Sequence, residues 1–258
     1  MSDPKYVTLE MSENVGVVTF SNPPNNFITL QALEEFQRAF RTLDADENCR
    51  AIVLATEGKA FCAGADFTTG LAEGIDFNEG IAKFYSRAMT FFDIKKPMVA
   101  AVQGAAIGAG FGLSLVADFR IGCPGTTFSA NFTRLGIHPG FGMSFTLPRI
   151  IGASNAELLF YTGRRIKGSE ALNLGLLTEL VERDDVMPSA MKLAKEVATC
   201  APLAVQDTKA TMRMGLAEQV RAANKREQAL QMAQMATKDF REGIKATHER
   251  REPEFTGN

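Results

Sequence analysis

The stretch GAAIGAGFGLSL, residues 104–115, follows directly on the apolar run PMVAAVQ and decides how the chain is read. Four glycines and three alanines fall in its first nine residues. Ordered glycine costs backbone entropy, so something must approach this backbone too closely for side chains. A dinucleotide-binding loop needs GxGxxG after a strand, with an acid about 20 residues further on. Counted from Gly108, the last glycine of that motif falls on Leu113; counted from Gly110, it falls on Leu115. Asp118 comes too early to hold a ribose, and no GxxxxGK[ST] motif occurs. Close packing of a helix on a sheet accounts for two or three of the glycines. It accounts less well for their place ahead of the helix, where unpaired N–H groups collect. A further reading uses that place. A helix N-terminus offers free N–H donors and a positive dipole end, and small residues there let a carbonyl oxygen reach them. A second donor from FCAGADF, residues 61–67, would complete an oxyanion hole of the kind that suits a thioester becoming an enolate.

The bulk properties narrow the setting. The chain has 258 residues, 45% of them hydrophobic, enough for one large core or a core with an appendage. A net charge of -2 gives no general attraction to nucleic acid or anionic lipid, so neither is expected as a partner. No apolar run approaches the roughly 20 residues of a membrane span. The opening MSDPKYVTLEMSEN is too polar and acidic for a signal peptide, and a cytoplasmic location is expected. Cys49, Cys62, Cys123 and Cys200 have no CxxC spacing and read as reduced, mostly buried thiols. His138 and His248 stand alone, so no metal site is expected.

Outward from the opening stretch, the hydrophobic pattern alternates strands and helices. VGVVTF and AIVLAT read as strands, the second covered on both faces. Leu30, Leu33, Phe36, Phe40 and Leu43 have helical spacing behind Thr29 as N-cap. A helix is expected over about 78–92, a buried strand over 97–102, a helix in FGLSLVAD and a strand in FRIGC. From Phe141 onward the pattern is almost purely helical. That combination argues for an α/β fold with an appended helical region.

Six ordered motifs resemble the crotonase superfamily, also called the enoyl-CoA hydratase/isomerase family. They are NPPNNFITLQALEEF, GKAFCAGADF, KKPMVAAVQGAAIGAGFGLSLVADFRIG, FTRLGIHPGFGMSFTLPRIIG, YTGRRIKGSEALNLGLLTELV and DFREGIKATHERREPEF. The resemblance implies a spiral of ββα turns over 1–195 and a C-terminal helical region over 196–258 that serves trimerisation and covers the CoA. It implies acyl-CoA thioesters as ligands, no cofactor beyond the coenzyme A moiety, and a homotrimer or dimer of trimers. Its two oxyanion N–H groups map to Ala65 and Ala109. CoA contacts, mostly through backbone, map to Asn26, Phe27, Phe61, Ala63, Asp66 and Phe67, and further substrate contacts to Gly64, Gly108 and Leu135. Asp66 is expected mainly to organise its loop. Arg250 and Arg251 stand where the family often has Lys-Arg, as a phosphate contact or a solvated charge run. Thr247 stands where the family usually has an aromatic residue.

The resemblance stops at the acid–base groups. The two glutamates of family hydratases map to Gly112 and Phe132, and a position that bears aspartate in some relatives maps to Gly140. All three are expected to shape the acyl site instead. A positioned acid or base is worth about 10²–10⁴ in rate, so ordinary hydration is disfavoured. Isomerisation, hydrolysis, decarboxylation and C–C cleavage remain, beside an inactive acyl-CoA-binding homologue. His138 is the first candidate for acid or base. Its alternative is a ring packed before proline against a backbone carbonyl. Glu73, Asp76, Glu79 and Tyr85 are further residues of a segment that lines the acyl pocket in the family.

Overall fold

The computed structural model describes residues 5–65 and 77–258. The chain enters through β1 (Val7–Ser12), antiparallel to β2 (Val15–Phe20). From β2 onward it repeats one unit, a strand, a short second strand and a helical segment. The first unit is β2, β3 (Phe27–Ile28) and α1 (Leu30–Ala45). The second is β4 (Ala51–Thr56), β5 (Gly64–Ala65) and α2 (Phe77–Ala88). The third is β6 (Met98–Val102), β7 (Ala105–Ile107) and α3 (Ala109–Ser114). The fourth is β8 (Phe119–Gly122), β9 (Thr127–Ser129) and a 3-10 turn at Asn131–Leu135, with α4 (Met143–Ile151) and α5 (Ala153–Thr162) behind it. β10 (Arg165–Lys167), α6 (Gly168–Asn173) and β11 (Glu179–Leu180) finish the spiral. α7 (Val186–Ala198), α8 (Pro202–Met212), α9 (Leu216–Met235) and α10 (Lys238–Glu249) follow.

The first strands of the units stack in parallel as β2-β4-β6-β8-β11, with β1 on the outer edge. The second strands form another layer, β3 with β5 and β7 with β9 and β10, joined by a bridge between Cys62 and Ala106. This is the expected α/β spiral of ββα turns with helices after it.

Alternation along the main sheet explains its unbroken apolar runs. Val17, Val53, Val99 and Ile121 face Val186, Ala190 and Ala194 of α7. Val18, Ile52, Leu54, Ala100 and Val102 face the larger core, with Phe36 and Phe40 of α1. Both faces are covered, so neither needs polar residues. Thr29 caps α1 by accepting from the Ala32 N–H at 3.1 Å. The region after Phe141 departs from its purely helical reading. β10 and β11 are three and two residues long, too short to show a period of two.

α9 carries a buried polar face that its sequence does not advertise. Asn224, Glu227 and Gln231 are all buried. Glu227 accepts from the Gly142 N–H at 2.7 Å and the Ser144 N–H at 2.9 Å. It thereby supplies acceptors to the N-terminus of α4, whose own N-cap, Gly142, has no side chain. Burial pushes the Glu227 carboxyl above its ordinary value, against the hydrogen bonds from Ser144, Gly142 and Asn224 that pull it down.

Glu227→Ala leaves the buried Gly142 N–H and the part-buried Ser144 N–H without their acceptor. The expected loss is about 1–3 kcal/mol per orphaned donor, read as a lower urea midpoint. The raised carboxyl also fixes a sign for pH. Its contribution to stability is full below the ordinary carboxylate pKa and is lost as pH rises through the folded value. Urea titrations across that range are expected to show this loss in the wild type and not in Glu227→Gln.

Candidate active site

The glycine-rich stretch is held against the loop 61–65 by backbone. Cys62 N–H donates to Ala105 O at 2.8 Å, and Ile107 N–H donates to Cys62 O at 2.9 Å. A Cβ at Gly110 would lie 2.2 Å from Cys62 O, and one at Gly104 would lie 1.9 Å from Lys59 O. What comes too close for side chains is therefore the backbone of the other loop. Gly64 has φ +109°, and its missing Cβ would stand 3.1 Å from Ile107 O and 3.8 Å from Ala109 N. Gly108 has φ +53°, the conformation that turns β7 into α3.

Ala109 is the first residue of α3. The first intrahelical bond is Gly112 N–H to Gly108 O, at 3.0 Å. The N–H groups of Ala109, Gly110 and Phe111 precede it and have no intrahelical acceptor. Asn26 secures the arrangement from below. It is buried, its Nδ2 donates to Glu57 O at 2.8 Å and Ala60 O at 2.9 Å, and its Oδ1 accepts from Asn22 N–H.

A cleft of about 610 Å³ opens at this junction. Phe27, Ala63, Ala65, Ile107 and Leu135 give it an apolar wall. α10 supplies the opposite wall through Arg241, Ile244, Lys245 and His248, spaced i, i+3, i+4 and i+7 on one helical face. Arg165, Thr247 and Asn131 lie where this cleft meets a second one of about 450 Å³. The second holds Arg134, Arg164, Arg250 and Arg251 as well. Arg251 is bound to Glu242 and Glu249, and its hydrogen bonds hold the Glu242 carboxyl down at about 2. Arg134 pairs with Glu252, and Arg164 with Glu170.

Phe27, Ala63, Ala65 and Leu135 thus line the cleft, whereas Gly64, Gly108 and Ala109 shape its backbone. The side chains of Asn26 and Phe61 are buried in the scaffold, which leaves their backbone for the contacts that the resemblance implies. Asp66, Phe67, Glu73 and Asp76 lie outside the described residues. Glu79 is on an exposed turn of α2 and pairs with Lys83.

Gly112 and Gly140 do not open onto the cleft, because aromatic side chains occupy the space beside them. A Cβ at Gly112 would lie 2.5 Å from the Phe141 ring, and one at Gly140 would lie 2.1 Å from the Tyr85 hydroxyl. Phe141 is fully buried with φ +65°, an outlier for a bulky residue. Tyr85 donates to Gln231 Oε1 at 2.7 Å, and burial pushes its phenol up, so it stays neutral. Phe132 is buried too, its ring tip 3.9 Å from the Cβ position of Gly108.

His138 is not brought to the cleft. It lines a separate cavity of about 480 Å³ with Thr133, Pro148, Phe160 and Tyr161. Its Nδ1 is 2.7 Å from Pro139 O, the packed arrangement that was the alternative to an acid–base role. Its backbone is gripped by Gln234 and Gln231 of α9. Burial pushes the Cys62 thiol up to about 12, so it is no thiolate nucleophile near neutral pH. Among the described residues no cluster of His, Cys, Asp and Glu could hold a metal ion. The sequence reading did not single out the α10 stripe, Arg165 or Asn131. The i, i+3, i+4, i+7 spacing of Arg241, Ile244, Lys245 and His248 was the available signal.

The fold, a mixed α/β spiral with two loops joined at the start of α3, is the class the structure defines, and comparison gives its family. The family profile described as "Enoyl-CoA hydratase/isomerase" matches residues 10–258, and the chain belongs to that family. A protein named "Probable enoyl-CoA hydratase" from Rhizobium meliloti is 34% identical over 258 residues, covering 97% of this chain and 98% of the relative. Another so named, from Rhodobacter capsulatus, is 33% identical over 253 residues, covering 97% and 98%. The crystal structure of an enoyl-CoA hydratase/isomerase from Pseudoalteromonas atlantica T6c superposes with TM-score 0.87 at 29% identity, covering 98% of this chain and all of that one. A carnitinyl-CoA hydratase from Mycobacterium avium gives TM-score 0.88 at 27% identity, covering 98% and 99%.

Gly112→Glu is expected to destabilise the protein by at least about 1–3 kcal/mol through overpacking against Phe141. Glu paired with Phe141→Ala is expected to recover part of that loss in a thermal-melt double-mutant cycle.

Proposed function

We propose that this protein binds an acyl-CoA thioester in the 610 Å³ cleft and stabilises its enolate, without carrying out two-glutamate hydration. The observation that carries this reading is the pairing of two features. The loop junction around Ala65 and Ala109 is complete in backbone, whereas the space beside Gly112 and Gly140 holds Phe141 and Tyr85.

In this reading the thioester oxygen accepts from the Ala65 and Ala109 N–H groups. Charge that develops on the oxygen when the α-carbon becomes nucleophilic is met by donors already in place, at the positive end of α3. Such preorganised donors are worth about 10²–10³ in rate each. The pantetheine runs along the apolar wall of Phe27, Ala63 and Leu135. The cationic face of α10 with Arg165 and Arg250 takes the phosphates. The C-terminal helices, counted from 196, act as the cover. Leu203, Met212, Met214 and Tyr161 are exposed apolar side chains that support assembly as a trimer or dimer of trimers. Isomerisation, decarboxylation and C–C cleavage pass through such an enolate, and thioester hydrolysis passes through a tetrahedral oxyanion that the same two donors would hold. A protein that binds the thioester without turnover is the second reading, favoured by the aromatic fill at Gly112 and Gly140.

Exchange of α-protons in D₂O, read by mass spectrometry over a panel of saturated acyl-CoAs, separates these. Exchange is expected, and binding with no exchange and no product from any member would leave the binding protein. Hydration of crotonyl-CoA is expected to be slower than in a two-glutamate relative by about 10²–10⁴ or more. Lys245→Ala combined with Arg241→Ala is expected to weaken CoA at least fivefold by calorimetry while the melting temperature stays within a few degrees.

A further inference from the structure

Asn131 stands one residue before the position where family hydratases carry a carboxylate, and its side chain has no hydrogen-bond partner among the described residues. Its Oδ1 is 3.5 Å from the Cβ position of Gly108, the residue whose left-handed turn starts α3. It is half-buried and lines both the main cleft and the arginine-rich cleft beside it. Its position relative to the loop is fixed by backbone: Gly108 N–H donates to Ser129 O at 2.9 Å, two residues upstream of Asn131. Ser129 Oγ in turn donates to Gly163 O at 3.1 Å. The tip of the neighbouring Phe132 ring is 3.9 Å from the same Cβ position. A half-buried polar side chain beside the start of α3, with no hydrogen-bond partner among the described residues, is satisfied by a ligand or by solvent.

We infer that Asn131 is a substrate-contacting residue of the thioester site, its amide NH₂ donating to the thioester oxygen beside the Ala109 N–H. This rests on the acyl-CoA reading above. Half-rotation about its Cβ–Cγ bond exchanges oxygen and nitrogen, and no internal hydrogen bond opposes it. A third donor at this oxygen would favour the enolate over the neutral thioester, since hydrogen bonds to a charged acceptor are about twice as strong as neutral ones. It leaves proton transfer to another group.

The test compares wild type with Asn131→Leu and Asn131→Asp. The ligands are free CoA and butyryl-CoA carrying ¹³C at the thioester carbonyl. Calorimetry gives affinities, and isotope-edited infrared spectroscopy reads the bound carbonyl stretch. Both variants remove the donor and keep the side chain's size, and their melting curves report folding. The wild type is expected to lower the carbonyl stretch relative to free ligand. Both variants are expected to reverse part of that shift and to bind butyryl-CoA about three- to tenfold more weakly. Free CoA should stay within twofold. An unchanged carbonyl band in folded variants would overturn the role of Asn131 and leave the acyl-CoA reading standing. A wild type that binds neither ligand, or binds butyryl-CoA with no carbonyl shift, would overturn both.

Discussion

Two backbone hydrogen bonds, Cys62 N–H to Ala105 O and Ile107 N–H to Cys62 O, hold the site in place. They join the second-strand loops of consecutive turns of the spiral and bring Gly64 and the start of α3 together. Backbone donors cannot be repositioned by rotamer choice, so their geometry is only as good as the ladder that carries them. Gly104 and Gly110 keep that ladder free of side chains. Asn26 braces the loop from the scaffold side, with bonds to Glu57 O and Ala60 O. The main sheet, covered on both faces, supplies the stiffness from which the loops project.

In the proposed function, two tasks that a single active site often mixes are separated. Polarisation would fall to backbone at a helix N-terminus. Proton transfer would need side chains, and the space beside Gly112 and Gly140 is taken by aromatic rings. Phe84 packs edge-on against both Tyr85 and Phe141, with centroids 5.5 and 6.5 Å away. The result is a buried aromatic partition beside α3. Such a partition suits chemistry that needs a stabilised carbanion more than an activated water.

Much of the architecture was legible because strong local signals agree with it. The runs Val15–Phe20 and Ala51–Thr56 are strands over the residues expected, and Thr29 caps its helix as read. The register count that rejected a phosphate loop left the helix N-terminus as the feature to explain, and the structure supplies the close backbone neighbour. Other elements carried no such signal. β7, β9 and β10 are three residues each and take their identity from partners distant in sequence. Asn224, Glu227 and Gln231 look like a solvated helix face until α4 is placed on them. Phe61 and Asn26 stand at contact positions of the resemblance, and the burial of their side chains depends on neighbours distant in sequence. His138 illustrates the same limit: its sequence neighbours belong to a pocket motif, but α9 turns its backbone outward into another cavity. The α10 stripe shows its helical spacing plainly. What sequence could not say is that its opposing wall is Phe27 and Ala65.

The left-handed Phe141 also constrains how this chain could change. A carboxylate at residue 112 cannot enter while that ring is in place. Removing the ring first would open a void in a fully packed region, at about 3–5 kcal/mol for a buried Phe to Ala change. Either order of substitution passes through a less stable protein. Since natural chains hold only a small margin above the unfolding threshold, the aromatic filling acts as a latch: a chain with Phe141 in place and one with a carboxylate at residue 112 are separated by a valley in stability, even on the same backbone.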